Sequence, residues 1–255
     1  MPDNMSDHMP HNTGRRRFMG SAAIGTAAMA MAGCASASAQ QNMATGAAAA
    51  APIDTSNLTP DQALALLQEG NAAFLRGEQR SDISNAQRRL ELAQGQSPFA
   101  AYVTCSDSRV PPELLFGRGL GELFIIRNAG NTVDTVALGS IEYAVGVLGV
   151  PLVVVMGHES CGAVKAAVDV VEKNATFPGQ IGRMVEPIIP AVLASRENGT
   201  IVLDNAVRQN VRRVVSQLRN QTDPLMQEPL AEGRLKVVGA YYDLNTGSVD
   251  FFDRG

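Results

Sequence analysis

Tryptophan is absent from this 255-residue sequence, and histidine and cysteine are scarce, with three residues of each. The charges nearly balance, since 21 Lys and Arg stand against 25 Asp and Glu without a run of five like charges. A basic nucleic-acid-binding surface is therefore not expected. No apolar run reaches the ~20 residues of a membrane-spanning helix. With 45% apolar and 18% charged residues, the composition is that of a globular domain whose core needs no disulfides.

The first 51 residues differ in character from the rest. Arg15, Arg16 and Arg17 precede Phe18, and an uncharged stretch rich in small residues follows over 20–33. A basic segment before an apolar one is typical of a secretory signal, and the paired arginines resemble a twin-arginine signal. We therefore predict that the protein is periplasmic or otherwise exported.

Two endings of this signal are compatible with the sequence. Ala37, Ser38 and Ala39 offer a small-residue cleavage site. The segment 31–34 instead resembles a lipoprotein box, which would leave Cys34 as a lipid-anchored N-terminus. The predicted organisation is a signal peptide over 1–39, a linker over 40–57 and one domain over 58–255.

Strand-like and helix-like segments alternate along the predicted domain. The predicted strands are 99–104, 122–127, 151–156, 236–244 and 248–252, and the predicted helices are 59–77, 133–148, 161–173 and 201–220. Alternation of this kind predicts βαβ crossovers and a parallel sheet, whereas the short turn at 245–247 predicts a hairpin. The expected fold is α/β, with a mostly parallel central sheet flanked by helices, antiparallel strands at the C-terminal end and an N-terminal helical arm.

Only Cys105, His158 and Cys161 bring cysteine and histidine into the predicted domain. Two thiolates and one imidazole form a three-ligand set with a vacant fourth position, the pattern of catalytic zinc sites. Cys161 also opens a predicted helix, whose N-terminal dipole favours the thiolate. The residues alone leave three interpretations open: a zinc site, a Cys105–Cys161 disulfide in an exported protein, or inert core cysteines beside a hydrogen-bonded loop histidine.

Two segments, Cys-Ser-Asp-Ser-Arg at 105–109 and His-Glu-Ser-Cys-Gly at 158–162, resemble the signature segments of β-class carbonic anhydrases. The similarity continues through 121–131 and 139–145 and covers roughly 59–252. This resemblance implies that Cys105, His158 and Cys161 bind one zinc ion and that Asp107 and Arg109 form a catalytic dyad. It also implies an assembly built on dimers, so that a homodimer or tetramer is expected.

The resemblance implies a substrate pocket as well. Gln96 stands nine residues before Cys105, where plant-type members carry a substrate-binding Gln. Phe124 and Tyr143 fall where that type has its apolar pocket wall, often contributed across the dimer interface, and the backbone amide of Gly162 is a further expected contact. The expected reaction is reversible hydration of carbon dioxide to bicarbonate and a proton. The alternatives are hydrolysis of carbon disulfide or carbonyl sulfide on the same scaffold, and a non-catalytic zinc- or bicarbonate-binding module.

Some members of this family switch off below about neutral pH, when the dyad Asp moves onto the zinc ion. They carry a Trp three residues before the first zinc Cys, whereas this sequence has Tyr102 at that position. It also has Gln96, which the switching type typically lacks. We therefore expect Asp107 to stay paired with Arg109 and to leave the fourth zinc position to water.

Overall fold

The computed structural model describes residues 57–78, 80 and 84–255. The predicted signal peptide, both of its predicted endings and all but the last residue of the predicted linker lie outside the described residues. In the part of the chain that is described, no helix is long and apolar enough to span a bilayer.

The first described helix, α1, covers Pro60–Leu75 and begins where its sequence directs it to begin. Gln62 donates its backbone N–H to Thr59 Oγ1 at 3.3 Å, and Thr59 donates its own to Gln62 Oε1 at 2.8 Å. This reciprocal pair satisfies two N–H groups that the helix itself leaves free. Pro60 takes the first helical position, where its missing N–H costs nothing. The predicted N-terminal helical arm is confirmed.

Within the described residues, five strands form a single sheet in the order β2-β1-β3-β4-β5. They are β1 Ala100–Thr104, β2 Leu123–Arg127, β3 Leu152–His158, β4 Lys236–Tyr242 and β5 Val249–Asp253. The first four in sequence are parallel, and β5 is antiparallel to β4. Every residue of β1 and β3 is buried, as is usual for parallel strands covered on both faces. The predicted fold class is confirmed.

Helices cover both faces of this sheet. After α1 they are α2 Ala86–Leu92, α3 Pro112–Leu115, α4 Thr135–Gly146, α5 Gly162–Lys173, α6 Ile181–Val185, α7 Ile189–Ala194, α8 Leu203–Arg219 and α9 Pro224–Ala231, with 3-10 turns at Ala129–Asn131 and Glu186–Ile188. On one face, α4, α8 and α9 share a core with Val103 and Val155. On the other face, α1 and α3 share a core with Tyr102 and Val154. The alternation along β1 and β3 follows from the two-residue period of a strand.

The sequence did not predict the short helices, and it ended β3 too early. Helices α2, α3, α6, α7 and α9 have only four to eight residues each, too few for a helical period to be recognised. Strand β3 runs past the predicted end at residue 156 through Gly157 to His158. Gly157 permits this because Val207 and Val211 of α8 occupy the space where a side chain would stand.

Helix α4 presents an apolar face to solvent. Its residues Ile141 and Ala144 are buried, but Val136, Tyr143 and Val147 are 77%, 47% and 64% exposed. These three lie on one side of the helix because their spacing is close to whole helical turns. A cluster of exposed apolar residues on one face is typical of a surface that another protein covers.

Candidate metal centre

The carboxyl ends of two neighbouring strands place candidate ligands side by side. Cys105 follows β1 directly, and His158 is the last residue of β3. The strands end at the same edge of the sheet because Thr104 pairs with Met156 in the parallel ladder. Sites in open α/β sheets form at this edge.

A tight turn then returns the chain to the same place. Ser160 adopts a left-handed φ of 56°, which is uncommon for a residue with a side chain, and Cys161 caps α5. The two cysteine sulfurs are 4.0 Å apart, and one His158 ring nitrogen lies within 4.8 Å of both. Across the described residues, no other group of three or more His, Cys, Asp or Glu side chains is placed to hold a metal ion. The structure therefore brings together the three predicted ligands.

The hydrogen bonding of His158 fits a metal ligand. Its Nδ1 lies 2.8 Å from the carbonyl oxygen of Glu159. Because a carbonyl only accepts, Nδ1 carries the proton and Nε2 keeps a free lone pair, the usual arrangement behind a metal-bound imidazole. Nε2 is buried and has no hydrogen-bond partner among the described residues. Such a buried group is costly when it stays unpaired, and a metal ion would satisfy it.

The two thiols are free and buried. The pKa of Cys105 is lowered, chiefly because the Cys161 thiol donates to its sulfur and further because the Gly130 amide does. The pKa of Cys161 is raised, first because its thiol donates to Cys105 and then because burial disfavours a second charge. A divalent cation bound to both sulfurs would relieve this conflict. The sulfurs are separated by twice the ~2.05 Å of a disulfide bond, so the arrangement favours the metal-site interpretation over the disulfide.

Asp107 and Arg109 form the predicted pair. Arg109 donates from Nε and Nη2 to the two carboxylate oxygens at 3.0 and 2.8 Å, and its backbone N–H adds a bond of 3.0 Å. The pKa of Asp107 therefore lies well below its usual range, chiefly because of the Arg109 side chain. Asp107 Oδ2 lies 3.8 Å from His158 Nε2. An ionised carboxylate thus stands beside the three candidate ligands.

Two further residues hold the backbone of the ligand-bearing loops, and sequence reasoning gave neither of them a role. Arg127, at the end of β2, donates to the carbonyl oxygens of Cys105 at 3.0 Å and Asp107 at 2.5 Å. Glu159 accepts two hydrogen bonds, of 3.0 and 2.6 Å, from the residues that follow Asp243. Both residues stand in segments that carried the family resemblance, but residue type and spacing did not indicate these contacts.

Phe124 and Tyr143 lie away from the cluster within one chain. Phe124 pairs with Ala101, four residues before Cys105 and therefore about 13 Å from it along the strand. Tyr143 extends from α4 and packs on Phe124, with ring centroids 6.2 Å apart. The two aromatic residues contact each other but do not line the metal centre of their own chain.

The other two predicted substrate residues lie in different segments, one before β1 and one at the start of α5. Gln96 is exposed in the loop that precedes this strand, remote from Cys105. Gly162 is the first residue of α5, directly after Cys161, and is exposed. A side-chain carbon placed on Gly162 would meet nothing within 4 Å. Open space therefore lies beside Gly162 and next to the ligand cluster.

Residues 100–249, from β1 into β5, match the family described as carbonic anhydrase. The chain is 41% identical over 194 residues to "Carbonic anhydrase" of Mycolicibacterium smegmatis, covering 76% of this chain and 94% of that protein. It is 40% identical over 191 residues to "Carbonic anhydrase 2" of Mycobacterium tuberculosis, covering 75% and 92%. A β-carbonic anhydrase structure from Sordaria macrospora, described as tetrameric, matches with a TM-score of 0.58 at 28% identity and covers 66% of this chain and 87% of that one. The chain therefore belongs to the β-class carbonic anhydrase family of enzymes.

Replacing Arg109 with Ala should raise the pKa of Asp107, because the guanidinium is the main cause of its depression. The rise should stop short of the ordinary ~3.9, since the backbone N–H of residue 109 still donates. A carboxyl group whose pKa is lower in the folded than in the unfolded state stabilises the fold at pH values above its unfolded-state pKa. This contribution is lost as the pH falls through the folded-state pKa. Wild-type Asp107 should thus stay ionised to lower pH than Asp107 of the variant.

An NMR titration of the Asp107 carboxyl carbon in metal-free protein measures this difference. Arg76→Ala is the matched control, because it removes an Arg that pairs with a carboxylate two residues away, at the surface. Arg76→Ala should leave the Asp107 titration unchanged. An unchanged titration in Arg109→Ala would contradict the assignment of the pair.

Proposed function

We propose that this chain binds one zinc ion through Cys105, His158 and Cys161 and hydrates carbon dioxide reversibly to bicarbonate and a proton. The observation that carries the proposal is the buried Nε2 of His158, which has no hydrogen-bond partner among the described residues and lies beside two thiols. Two sulfurs and one imidazole leave a fourth coordination position open, as in catalytic sites. Zinc at such a site lowers the pKa of water to about 7 and so makes hydroxide available at neutral pH.

Asp107 orients the attacking water in this proposal. An ionised carboxylate can only accept hydrogen bonds, so it accepts from the nucleophile and turns the nucleophile's lone pair toward carbon dioxide. Arg109 donates to both carboxylate oxygens, which fixes the orientation of Asp107 and keeps it away from the fourth ligand position. Asp107 is ionised and paired with Arg109, and this arrangement supports an enzyme in preference to a non-catalytic module that only binds zinc or bicarbonate.

The open space beside Gly162 is the proposed carbon dioxide site. Its backbone N–H supplies a donor for a substrate oxygen, and a nonpolar wall suits a linear, uncharged substrate. The proton produced must leave by another route than a second imidazole, because residues 58–255 contain no histidine besides His158.

A second copy of the chain supplies the rest of the pocket in this proposal. Phe124 and Tyr143 are too far from the cluster of their own chain, and Tyr143 belongs to the apolar face of α4 with Val136 and Val147. Packing a second copy on this face covers the exposed apolar residues. It also offers Gln96, Phe124 and Tyr143 of one copy to the metal centre of the other. A homodimer, alone or paired into a tetramer, is therefore the proposed functional unit.

Purified wild-type protein should contain one zinc ion per chain and should hydrate carbon dioxide in a stopped-flow assay. Cys161→Ala removes a ligand, so it should lose the zinc ion, and activity should fall beyond the roughly 10–100-fold that loss of an outer contact causes. Ser108→Ala, an exposed change in the loop that follows Cys105, should keep both the zinc ion and the activity. Elemental analysis of the three proteins decides: full zinc in Cys161→Ala would refute the ligand assignment. Carbon disulfide, assayed alongside, should be a much poorer substrate than carbon dioxide.

Val147→Arg should dissociate the proposed dimer, because it places a charge on the face of α4 that the second copy covers. Light scattering coupled to gel filtration measures the mass, and carbon dioxide hydration should fall together with it. Leu193→Arg is the matched control, since Leu193 is a similarly exposed aliphatic residue, at 52%, on α7. A dimer that survives Val147→Arg with full activity would show that the α4 face is not the interface.

We also propose export in the folded state by the twin-arginine route. The motif residues Arg15 and Arg16 lie outside the described residues, but the site offers a chemical reason. Because the two sulfurs are only 4.0 Å apart, a chain without zinc could form a Cys105–Cys161 disulfide in an oxidising compartment. Folding around zinc before export avoids this reaction. Replacing Arg15 and Arg16 with Lys should strand the protein in the cytoplasm. Fractionation measures this, and normal export of the double variant would exclude the route.

A further inference from the structure

One backbone amide contacts a candidate ligand sulfur directly. Gly130 donates its N–H to Cys105 Sγ at 3.3 Å. A hydrogen bond to a thiolate withdraws part of its charge, so it alters how strongly the sulfur donates to a metal ion. The direction of this single N–H is therefore a property of the metal centre and not only of the loop.

Gly130 is held in an unusual conformation. Its φ and ψ are 72° and 22°, in the left-handed region that glycine enters most readily. A side-chain carbon here would stand 2.6 Å from Ile188 Cδ1 and 3.1 Å from Ala163 Cβ, so any larger residue would have to displace Ile188 as well as adopt a strained φ. Glycine is also the residue with the widest range of backbone conformations, and the N–H keeps its aim at Cys105 only if the rest of the residue is fixed.

Asn210 supplies that fixation from 80 residues away. Its side-chain Nδ2 donates to the Gly130 carbonyl oxygen at 2.8 Å. The carbonyl and the N–H lie on opposite sides of the Gly130 Cα atom, so holding the one limits rotation of the other. The Asn210 side chain is a buried amide, on a residue that is only 1% exposed.

The helix that carries Asn210 is itself closely fitted to the ligand-bearing strand. Val207 and Val211 flank Asn210 on α8 and fill the space beside Gly157 of β3. Gly157 immediately precedes His158. The same helix turn thus packs against one ligand segment and hydrogen-bonds the loop that contacts another, which places the Asn210 amide on a rigid support.

We propose that Asn210 is a positioning residue for the metal centre: its amide fixes Gly130, and Gly130 in turn directs an N–H to the Cys105 sulfur. The inference rests on the proposed function in taking Cys105 as a metal ligand. Loss of the amide frees Gly130, weakens the N–H···S bond and leaves the sulfur richer in electrons. The bound metal then becomes a weaker Lewis acid and is held by a less ordered ligand.

Protein loaded with Co²⁺ in place of zinc tests this directly, since the thiolate-to-cobalt charge-transfer band reports the electron density on sulfur. In Asn210→Ala the band should move to longer wavelength, because a sulfur without its N–H donor gives up an electron more easily. Cobalt release to a chelator should be about 10–100-fold faster, the range for loss of an outer contact. Asn210→Asp keeps the shape of the side chain but lacks the amide donor and should shift the band in the same direction. It serves as the second variant should Asn210→Ala fail to fold.

Asn71→Ala is the matched control. Asn71 is also a buried amide, 5% exposed, and its side chain makes three hydrogen bonds to Leu115, Gly247 and Val249, none of which is a candidate ligand or contacts one by a hydrogen bond. This variant should lower the melting temperature without moving the cobalt band. A folded Asn210 variant with the wild-type band and wild-type cobalt release would overturn the proposal and leave Asn210 a purely structural residue. Wild-type protein that binds no cobalt would instead refute the proposed metal site, so the two failures are distinguishable.

Discussion

The parallel pairing of β1 with β3 is the constraint on which the whole site depends. Val103 pairs with Val155 and Thr104 with Met156, and both strands are buried over their full length. Because successive residues of a strand face opposite sides of the sheet, a slip of one residue would turn the wrong side chains into each core. The two apolar cores therefore fix the register, and the register places Cys105 next to His158. Residues with no chemistry of their own set the geometry of those that have it.

Charge balance explains why the surroundings of the cluster are built as they are. With both thiols ionised as metal ligands, the two thiolates and the Asp107 carboxylate would carry three negative charges, and among the described residues Arg109 is the one cation hydrogen-bonded to that carboxylate. A divalent metal ion brings this group to neutrality, which is the condition under which buried charges are tolerated. Without a metal ion the pKa of Cys105 falls and that of Cys161 rises, because the Cys161 thiol donates to the Cys105 sulfur. The electrostatics thus favour a cation of charge two in particular.

The sequence predicted the long elements and the ligand set for separate reasons. The α1, α4, α5 and α8 helices and the five strands were predicted because each gives its pattern enough residues to repeat. Scarcity of cysteine and histidine made Cys105, His158 and Cys161 the only candidates in the domain. That scarcity left a zinc site, a disulfide and inert cysteines open, and the family resemblance then indicated the ligand set.

The remaining features arise from contacts between distant segments, which no local pattern encodes. The bond from Asn210 to Gly130 joins residues 80 apart, and the hold of Arg127 on the Cys105 loop spans 22 residues. Val136 and Val147 are exposed because the other side of α4 packs on the sheet. The helical pattern of the sequence does not indicate which of two apolar sides is the buried one. The five short helices were not predicted for a local reason, because each has too few residues to show a helical period.

The bond between Glu159 and the turn after β4 has a consequence for the order in which the molecule is made. Glu159 accepts from the backbone N–H of Leu244, 85 residues downstream, and His158 pairs in the sheet with Tyr242 of β4. A nascent chain that has just emerged with all three ligands still lacks the strand against which His158 must lie. These contacts of His158 and Glu159 therefore form only after the C-terminal hairpin has been synthesised, although both residues stand near the middle of the chain. A metal ion that requires this fixed geometry would be held firmly only after the C-terminal hairpin has formed.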